Sequence, residues 1–139
     1  MAKADLFELR PHHAGIYVPD IESSIAWYQD KLGFTVAKRL TIEVIPARVV
    51  FLKRGDYYIE LFEATGAKSK PQTRRTPDQN TLGLKHITFA VENVSKVVGI
   101  LKQRGVEIVR DVGRIEGKEM AFISDNAGNL IELVSFDAP

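Results

Sequence analysis

The chain has 139 residues, of which 45% are hydrophobic and 27% are charged, and its formal net charge is +1. This length predicts a single domain over residues 1–139, and the near-neutral charge argues against nucleic acid or a membrane surface as a partner. The chain contains no cysteine, so any metal must be held by histidine, carboxylate, water or substrate. No apolar run approaches the roughly 20 residues of a transmembrane helix, and residues 1–10 lack a signal-peptide core. We therefore expect a cytoplasmic protein.

The first predicted elements are a strand over residues 13–18 and a helix that follows it. Because side chains alternate along a strand, its odd positions share one face. These are His13, Gly15 and Tyr17. Asp20 is a suitable N-cap for the helix, and Gly33 is a suitable C-cap. One apolar stripe at helical spacing runs between them: Ile21, Ile25, Tyr28 and Leu32.

Extended segments complete the first half. Residues 34–45 are typical of one or two strands, and residues 48–53 of another. A turn at residues 54–56 leads into a strand over residues 57–63, whose even positions share a face. These even positions are Tyr58, Glu60 and Phe62. The first half, about residues 11–63, therefore has the order β-α-β-β-β.

Residues 64–82 differ in character from both neighbours. They are rich in glycine, proline and basic residues and poor in apolar ones; the basic residues are Lys68, Lys70, Arg74 and Arg75. Two interpretations remain open: a basic lid over an anionic substrate, and a solvated linker.

The second half, about residues 83–137, repeats the order of the first. A strand over residues 84–91 contains His86 near its start, and Asn93 caps the helix that follows. The apolar stripe of this helix is Val94, Val97, Val98 and Leu101. Strands follow at about residues 106–112, 120–124 and 130–136. In the last strand one face carries Leu130, Glu132 and Val134.

Each half keeps one histidine at its first strand and one glutamate in an Ile-Glu-Leu tripeptide at its last. The histidines His13 and His86 are offset by 86 − 13 = 73, and Glu60 and Glu132 by 132 − 60 = 72. Taken alone, such residues are more often a structural histidine and an exposed glutamate. Their recurrence in register favours a shared metal site, because a carboxylate among apolar neighbours is costly unless it is paired. Two imidazoles and two carboxylates suit Zn, Ni, Co, Mn or Fe.

The pattern resembles the vicinal oxygen chelate superfamily, which includes glyoxalase, bleomycin-resistance and extradiol dioxygenase proteins. The paired βαβββ modules, the His and Ile-Glu-Leu positions and the Asp-Asn-Ala-Gly-Asn turn at residues 125–129 carry the resemblance, over about residues 11–137. It implies an α+β fold in which two tandem βαβββ modules form a cupped mixed sheet around a metal site, usually in a homodimer. The ligand positions match His13, Glu60, His86 and Glu132. One divalent ion per site is implied, with Ni, Co, Zn or Mn preferred over Fe. His12 aligns with Lys85 rather than with a ligand, and we expect an ordinary exposed side chain.

The resemblance implies a metal-dependent isomerase, epimerase or lyase that chelates vicinal substrate oxygens and shuttles a proton through an enolate. The sequence resembles methylmalonyl-CoA epimerase-like and glyoxalase I-like members in particular, and the epimerase type is the first candidate. Glu132 and Glu43 are the candidate catalytic proton-transfer groups. Aromatic candidates for the cavity are Tyr17, Tyr58, Phe62, Phe89 and Phe122, with Phe89 on the face opposite His86.

Three alternative functions remain open. A lactoylglutathione lyase (glyoxalase I) is expected to hold glutathione with an arginine and an asparagine where this chain has Tyr17 and Ala64. An extradiol-type dioxygenase would need only His13, His86 and Glu132 around Fe(II). A small-molecule sequestering protein of the antibiotic-resistance type typically lacks the metal ligands that this chain retains.

Overall fold

The structure is a computed structural model that describes residues 6–44, 47–64 and 82–138. The elements in chain order are β1 (His13–Val18), α1 (Ile21–Leu32), β2 (Thr35–Ile42), β3 (Ala47–Arg54), β4 (Tyr57–Glu63), β5 (Ile87–Val91), α2 (Val94–Gln103), β6 (Glu107–Ile115), β7 (Lys118–Ser124) and β8 (Leu130–Ser135). Residues 65–81, which include all four basic residues of the predicted linker, lie outside the described ranges. Neither helix of the described ranges is long and apolar enough to cross a membrane.

The strands form two four-stranded mixed sheets, in the orders β1-β4-β3-β2 and β5-β8-β7-β6. In each sheet the first strand of the module pairs in parallel with the last, and the other pairs are antiparallel. The predicted α+β fold of two tandem βαβββ modules is confirmed. Strand β1, which begins with His13, and strand β5, which directly follows His86, therefore lie at the edges of their sheets, beside the strands that carry the glutamates.

Helix α1 begins and ends where the sequence predicts. The Asp20 carboxylate accepts a hydrogen bond from the Ser23 amide at 3.2 Å, and Gly33 adopts the left-handed conformation that favours glycine, with φ of 71°. All four residues of the predicted stripe are buried. In α2 the Asn93 side chain accepts from the Lys96 amide at 2.9 Å. These caps and stripes fix the helix faces that pack on the two sheets.

One continuous core runs through both modules and includes a buried polar link. The Tyr28 hydroxyl of α1 donates to the Asp125 carboxylate at 2.7 Å, and both residues are buried. Burial, and secondarily the adjacent Asp125 carboxylate, raises the pKa of Tyr28 well above its ordinary value. Asp125 also accepts from the amides of Ala127 and Asn129 and from the Asn129 side chain. The first helix is thereby joined to the turn between β7 and β8.

Several predicted strand boundaries are wrong; for example, β6 extends to Ile115 rather than to about residue 112, and β7 begins at Lys118 rather than at residue 120. The strand predicted over residues 84–91 begins only at Ile87, where its pairing with β8 starts, so His86 directly precedes β5. Just upstream, Gly83 has a φ of 110°, a conformation outside the strand region. The strand predicted over residues 34–45 ends at Ile42, and Glu43 lies in the turn that follows.

Candidate metal centre

The first His–Glu pair results from the parallel pairing of β1 with β4. Gly15 lies opposite Glu60 in this ladder, so His13, two residues earlier, shares the face of Glu60. The Nε2 atom of His13 is 3.0 Å from Oε2 of Glu60, and their side chains are 33% and 15% exposed. The pair is therefore close enough to interact and open enough to reach a ligand.

The second pair occupies the equivalent place in the second module, with one difference. Thr88 lies opposite Glu132, and its hydroxyl donates to Glu132 Oε1 at 3.2 Å. The Nε2 atom of His86 is 3.8 Å from the same oxygen. Gly15, in the equivalent position of the first module, has no side chain to make such a bond. The Glu132 carboxylate therefore accepts a hydrogen bond from Thr88, whereas the Glu60 carboxylate contacts His13.

Each histidine also contacts a phenylalanine that the sheet register places opposite the glutamate. Phe51 pairs with Glu60, and Phe122 pairs with Glu132. The ring centroid of His13 is 5.5 Å from that of Phe51, and that of His86 is 5.3 Å from that of Phe122, both edge to face. Phe122 was among the candidates predicted from the sequence, but Phe51 was not. The offset between these two residues, 122 − 51 = 71, nearly matches the offsets of the two histidines and of the two glutamates. Thr88 was missed as well.

His12 is exposed as predicted, but it also contacts the site. Its Nδ1 atom is 2.7 Å from Nδ1 of His13, and its ring stacks on Tyr58 with centroids 5.1 Å apart. One of the two nitrogens must donate and the other must accept. If His13 donates, its Nε2 carries a free lone pair, which is the tautomer that a metal ligand requires.

One cavity of about 780 Å³ connects the two modules. Both histidines line it, together with the rest of β1, the segment before β5 and the turn after β7. Tyr17 lines it as well and stacks on Phe62, with ring centroids 4.8 Å apart. Phe89 lies on the opposite face of its strand, as predicted, and packs near Phe34. The aromatic candidates therefore divide between the cavity side and the helix side of the sheets.

The structure brings the four predicted ligands together as two pairs. Across the described ranges, no group of three or more His, Asp and Glu residues is close enough to hold a metal ion. The distance within the first pair fits two ligands of one ion. Ligand atoms in adjacent positions around an ion, each bound at about 2.1 Å, lie roughly 3 Å apart. Nε2 of His13 and Oε2 of Glu60 are 3.0 Å apart. Imidazole nitrogen with carboxylate oxygen suits Zn, Ni, Co or Mn. The sharing of one ion by both pairs stays a prediction.

Glu43, the other predicted proton-transfer residue, lies away from Glu60 along the first sheet. The β2 residue level with Glu60 is Lys38, because Lys38 pairs with Phe51 and Phe51 pairs with Glu60. Five residues of extended chain then separate Lys38 from Glu43, a path of roughly 15–20 Å. Glu43 is exposed in its turn. Its predicted role in proton transfer stays a prediction.

Comparison with known proteins agrees with the fold and the repeated pairs. Residues 10–133 match the family model described as the Glyoxalase/Bleomycin resistance protein/Dioxygenase superfamily. The chain belongs to this superfamily. It is 30% identical over 128 residues to mouse mitochondrial methylmalonyl-CoA epimerase, covering 89% of this chain and 71% of that protein. Two solved structures are similar to this chain, each with 29% sequence identity. The structure of SMU.1112c has a TM-score of 0.74 and covers 94% of this chain and 100% of that chain. The trypanothione-dependent glyoxalase I of Leishmania major has a TM-score of 0.69 and covers 92% of this chain and 87% of that chain.

Proposed function

We propose that the protein is a metal-dependent isomerase, epimerase or lyase of this superfamily, with an epimerase of the methylmalonyl-CoA type as the first candidate. One observation carries the proposal. Each module holds a His–Glu pair at the equivalent place in its sheet, and both histidines line the same cavity. The similarity to the mouse epimerase supports the choice of reaction.

His13, Glu60, His86 and Glu132 would hold one divalent ion, with Ni, Co, Zn or Mn as candidates. When bound, such an ion supplies Lewis-acid polarisation of two neighbouring substrate oxygens. Other side chains of the protein contact the residues that would bind the ion. When Nδ1 of His13 donates to Nδ1 of His12, Nε2 of His13 keeps the lone pair that would bind the ion.

Glu132 is the residue to which we assign proton transfer. The Thr88 hydroxyl holds its Oε1 atom, and Oε2 makes no hydrogen bond to the part of the chain that the structure describes. A carboxylate oxygen without a donor can accept a proton from a substrate carbon beside a carbonyl group and return it. Glu132 would in this way serve as both ligand and base.

The test of this function is proton exchange with solvent. The metal-loaded protein in deuterated water should introduce deuterium at the acidic carbon of methylmalonyl-CoA, as measured by mass spectrometry. Glu132→Gln should abolish this exchange, whereas Glu43→Gln should retain it, because Glu43 lies in the turn after β2, away from Glu60. Exchange that persists in Glu132→Gln and disappears in Glu43→Gln would transfer the role to Glu43.

Glyoxalase I activity is the second candidate, because the Leishmania major glyoxalase I is similar in structure over 92% of this chain. A hemithioacetal of methylglyoxal and glutathione or trypanothione tests it. Turnover of that hemithioacetal, without deuterium exchange in methylmalonyl-CoA, would identify the protein as a lyase rather than an epimerase. Substrate-dependent oxygen uptake with Fe(II) would indicate a dioxygenase. Ligand binding that survives Glu60→Ala would indicate a sequestering protein.

We also expect a homodimer. Three apolar side chains near the N-terminus are exposed in the single chain: Leu6, Phe7 and Leu9. Their exposure supports an intermolecular contact, since they do not pack on the body of the chain. Size-exclusion chromatography with light scattering should give twice the chain mass, and the mass of a single chain would contradict this expectation.

A further inference from the structure

The ammonium group of Lys85 is buried and has no hydrogen-bond partner among the residues that the structure describes. Its Nζ atom has less than 1 Å² of accessible surface. Lys85 itself lines the cavity and directly precedes His86. An ammonium carries three donors, and burying it without an acceptor is costly. Such a cation would gain by reaching a negatively charged group.

The other charged groups near the cavity do not meet this need. Glu60 is engaged by His13, and Glu132 accepts from the Thr88 hydroxyl. Two other lysines in the described ranges have acidic partners: Lys102 pairs with Asp111, and Lys118 pairs with Asp137. Those pairs lie on the surface, where water already solvates both members. Lys85 combines burial, an unmet charge and a place beside an open cavity.

We propose that Lys85 is an anion-binding residue of this cavity and that the natural ligand carries a carboxylate or phosphate group. The flexible four-carbon stem lets the ammonium turn from its buried position into the cavity, where a negatively charged oxygen can accept from it. Two apolar side chains, Ile16 and Ile87, also line the cavity and pack against the core. An ion pair among them is less weakened by water than a surface pair. The identification of this anion with the substrate rests on the proposed function, whereas anion binding by Lys85 does not depend on it.

The test uses metal-free protein and no turnover, so it is independent of the proton-exchange assay. Calorimetric titrations compare malonate, inorganic phosphate and the neutral analogue malonamide. Three variants are compared with the wild type: Lys85→Met, which keeps the length and removes the charge, Lys85→Arg, which keeps the charge, and Lys96→Met, which removes an exposed lysine of α2. Binding of malonate alone would identify a carboxylate site, and binding of phosphate alone a phosphate site.

We expect Lys85→Met to weaken binding of the preferred anion by about tenfold or more. Lys85→Arg should keep most of the affinity, Lys96→Met should leave it unchanged, and malonamide should not bind. Lys85→Met should also unfold at a higher urea concentration, because it removes an unmet buried charge. An unchanged anion affinity in Lys85→Met, binding of malonamide equal to that of malonate, or absence of anion binding in the wild type would each overturn the proposal. So would a lower urea midpoint for Lys85→Met, which would mean that the ammonium is already paired in the free protein.

Discussion

The hydrogen bond from Tyr28 to Asp125 joins the first helix to the turn that lines the cavity, and Tyr28→Phe removes this bond with little other change. The donor and acceptor oxygens are 2.7 Å apart, and the residues are 0% and 5% exposed. A hydrogen bond to a charged group contributes about 1.5–3 kcal/mol. Asp125 keeps its bonds from Ala127 and Asn129, so we expect a loss in the lower half of that range, about 2 kcal/mol of unfolding free energy. For a chain of this length the melting temperature should fall by about 7 °C.

Urea unfolding measured by circular dichroism gives this free energy. Tyr57→Phe is the matched control, because Tyr57 is only partly buried and its hydroxyl makes no hydrogen bond to the residues that the structure describes. We expect that control to change the unfolding free energy by less than about 0.5 kcal/mol. If Tyr28→Phe behaved like the control, the buried link between the modules would not contribute as the structure indicates.

Three further predictions concern pH and the site. Because burial and the Asp125 carboxylate raise the pKa of Tyr28 well above its ordinary value, its stabilising contribution is complete below about pH 10 and is lost as the pH rises toward the folded-state pKa. The wild type should therefore lose unfolding free energy more steeply than Tyr28→Phe above about pH 10, and parallel curves would argue against this. Thr88→Val should weaken metal affinity by about tenfold in a chelator-competition titration, because it releases Glu132, whereas Thr88→Ser should not; equal affinities would remove Thr88 from the site. A Cβ atom at Gly15 would lie 4.0 Å from the nearer Glu60 oxygen, so Gly15→Ala should retain the affinity for ligand. The larger side chain of Gly15→Leu should lower that affinity by about tenfold or more. An unchanged affinity in Gly15→Leu would mean that the ligand does not occupy this face.

Local signals made much of the fold predictable. Asp20 and Gly33 mark the ends of α1 through side-chain capping and left-handed backbone, which depend on a few adjacent residues. The internal repeat also singled out His13 and Glu60 as candidates, although their common face depends on the pairing of β1 with β4. The helix caps need no knowledge of how distant segments meet.

Other site features depend on relations that a single strand does not carry. Phe51 and Thr88 become site residues only through the register of β3 with β4 and of β5 with β8. The start of β5 at Ile87, beyond His86, follows from the same ladder. The arrangement of the two pairs relative to each other depends on packing between modules, which neither repeat specifies by itself. Hence the sequence predicted four ligands, and the structure resolves them into two pairs.

The measurement that decides whether the two pairs form one site is the metal content per chain. Elemental mass spectrometry of protein reconstituted with Ni, Co, Zn or Mn should be performed on the wild type, Glu60→Gln and Glu132→Gln. A shared site predicts about one ion per chain in the wild type and its loss in either variant, because both modules supply ligands. Two ions per chain, with one retained in each variant, would mean two independent sites. No bound metal in the reconstituted wild type would contradict metal-dependent chemistry altogether.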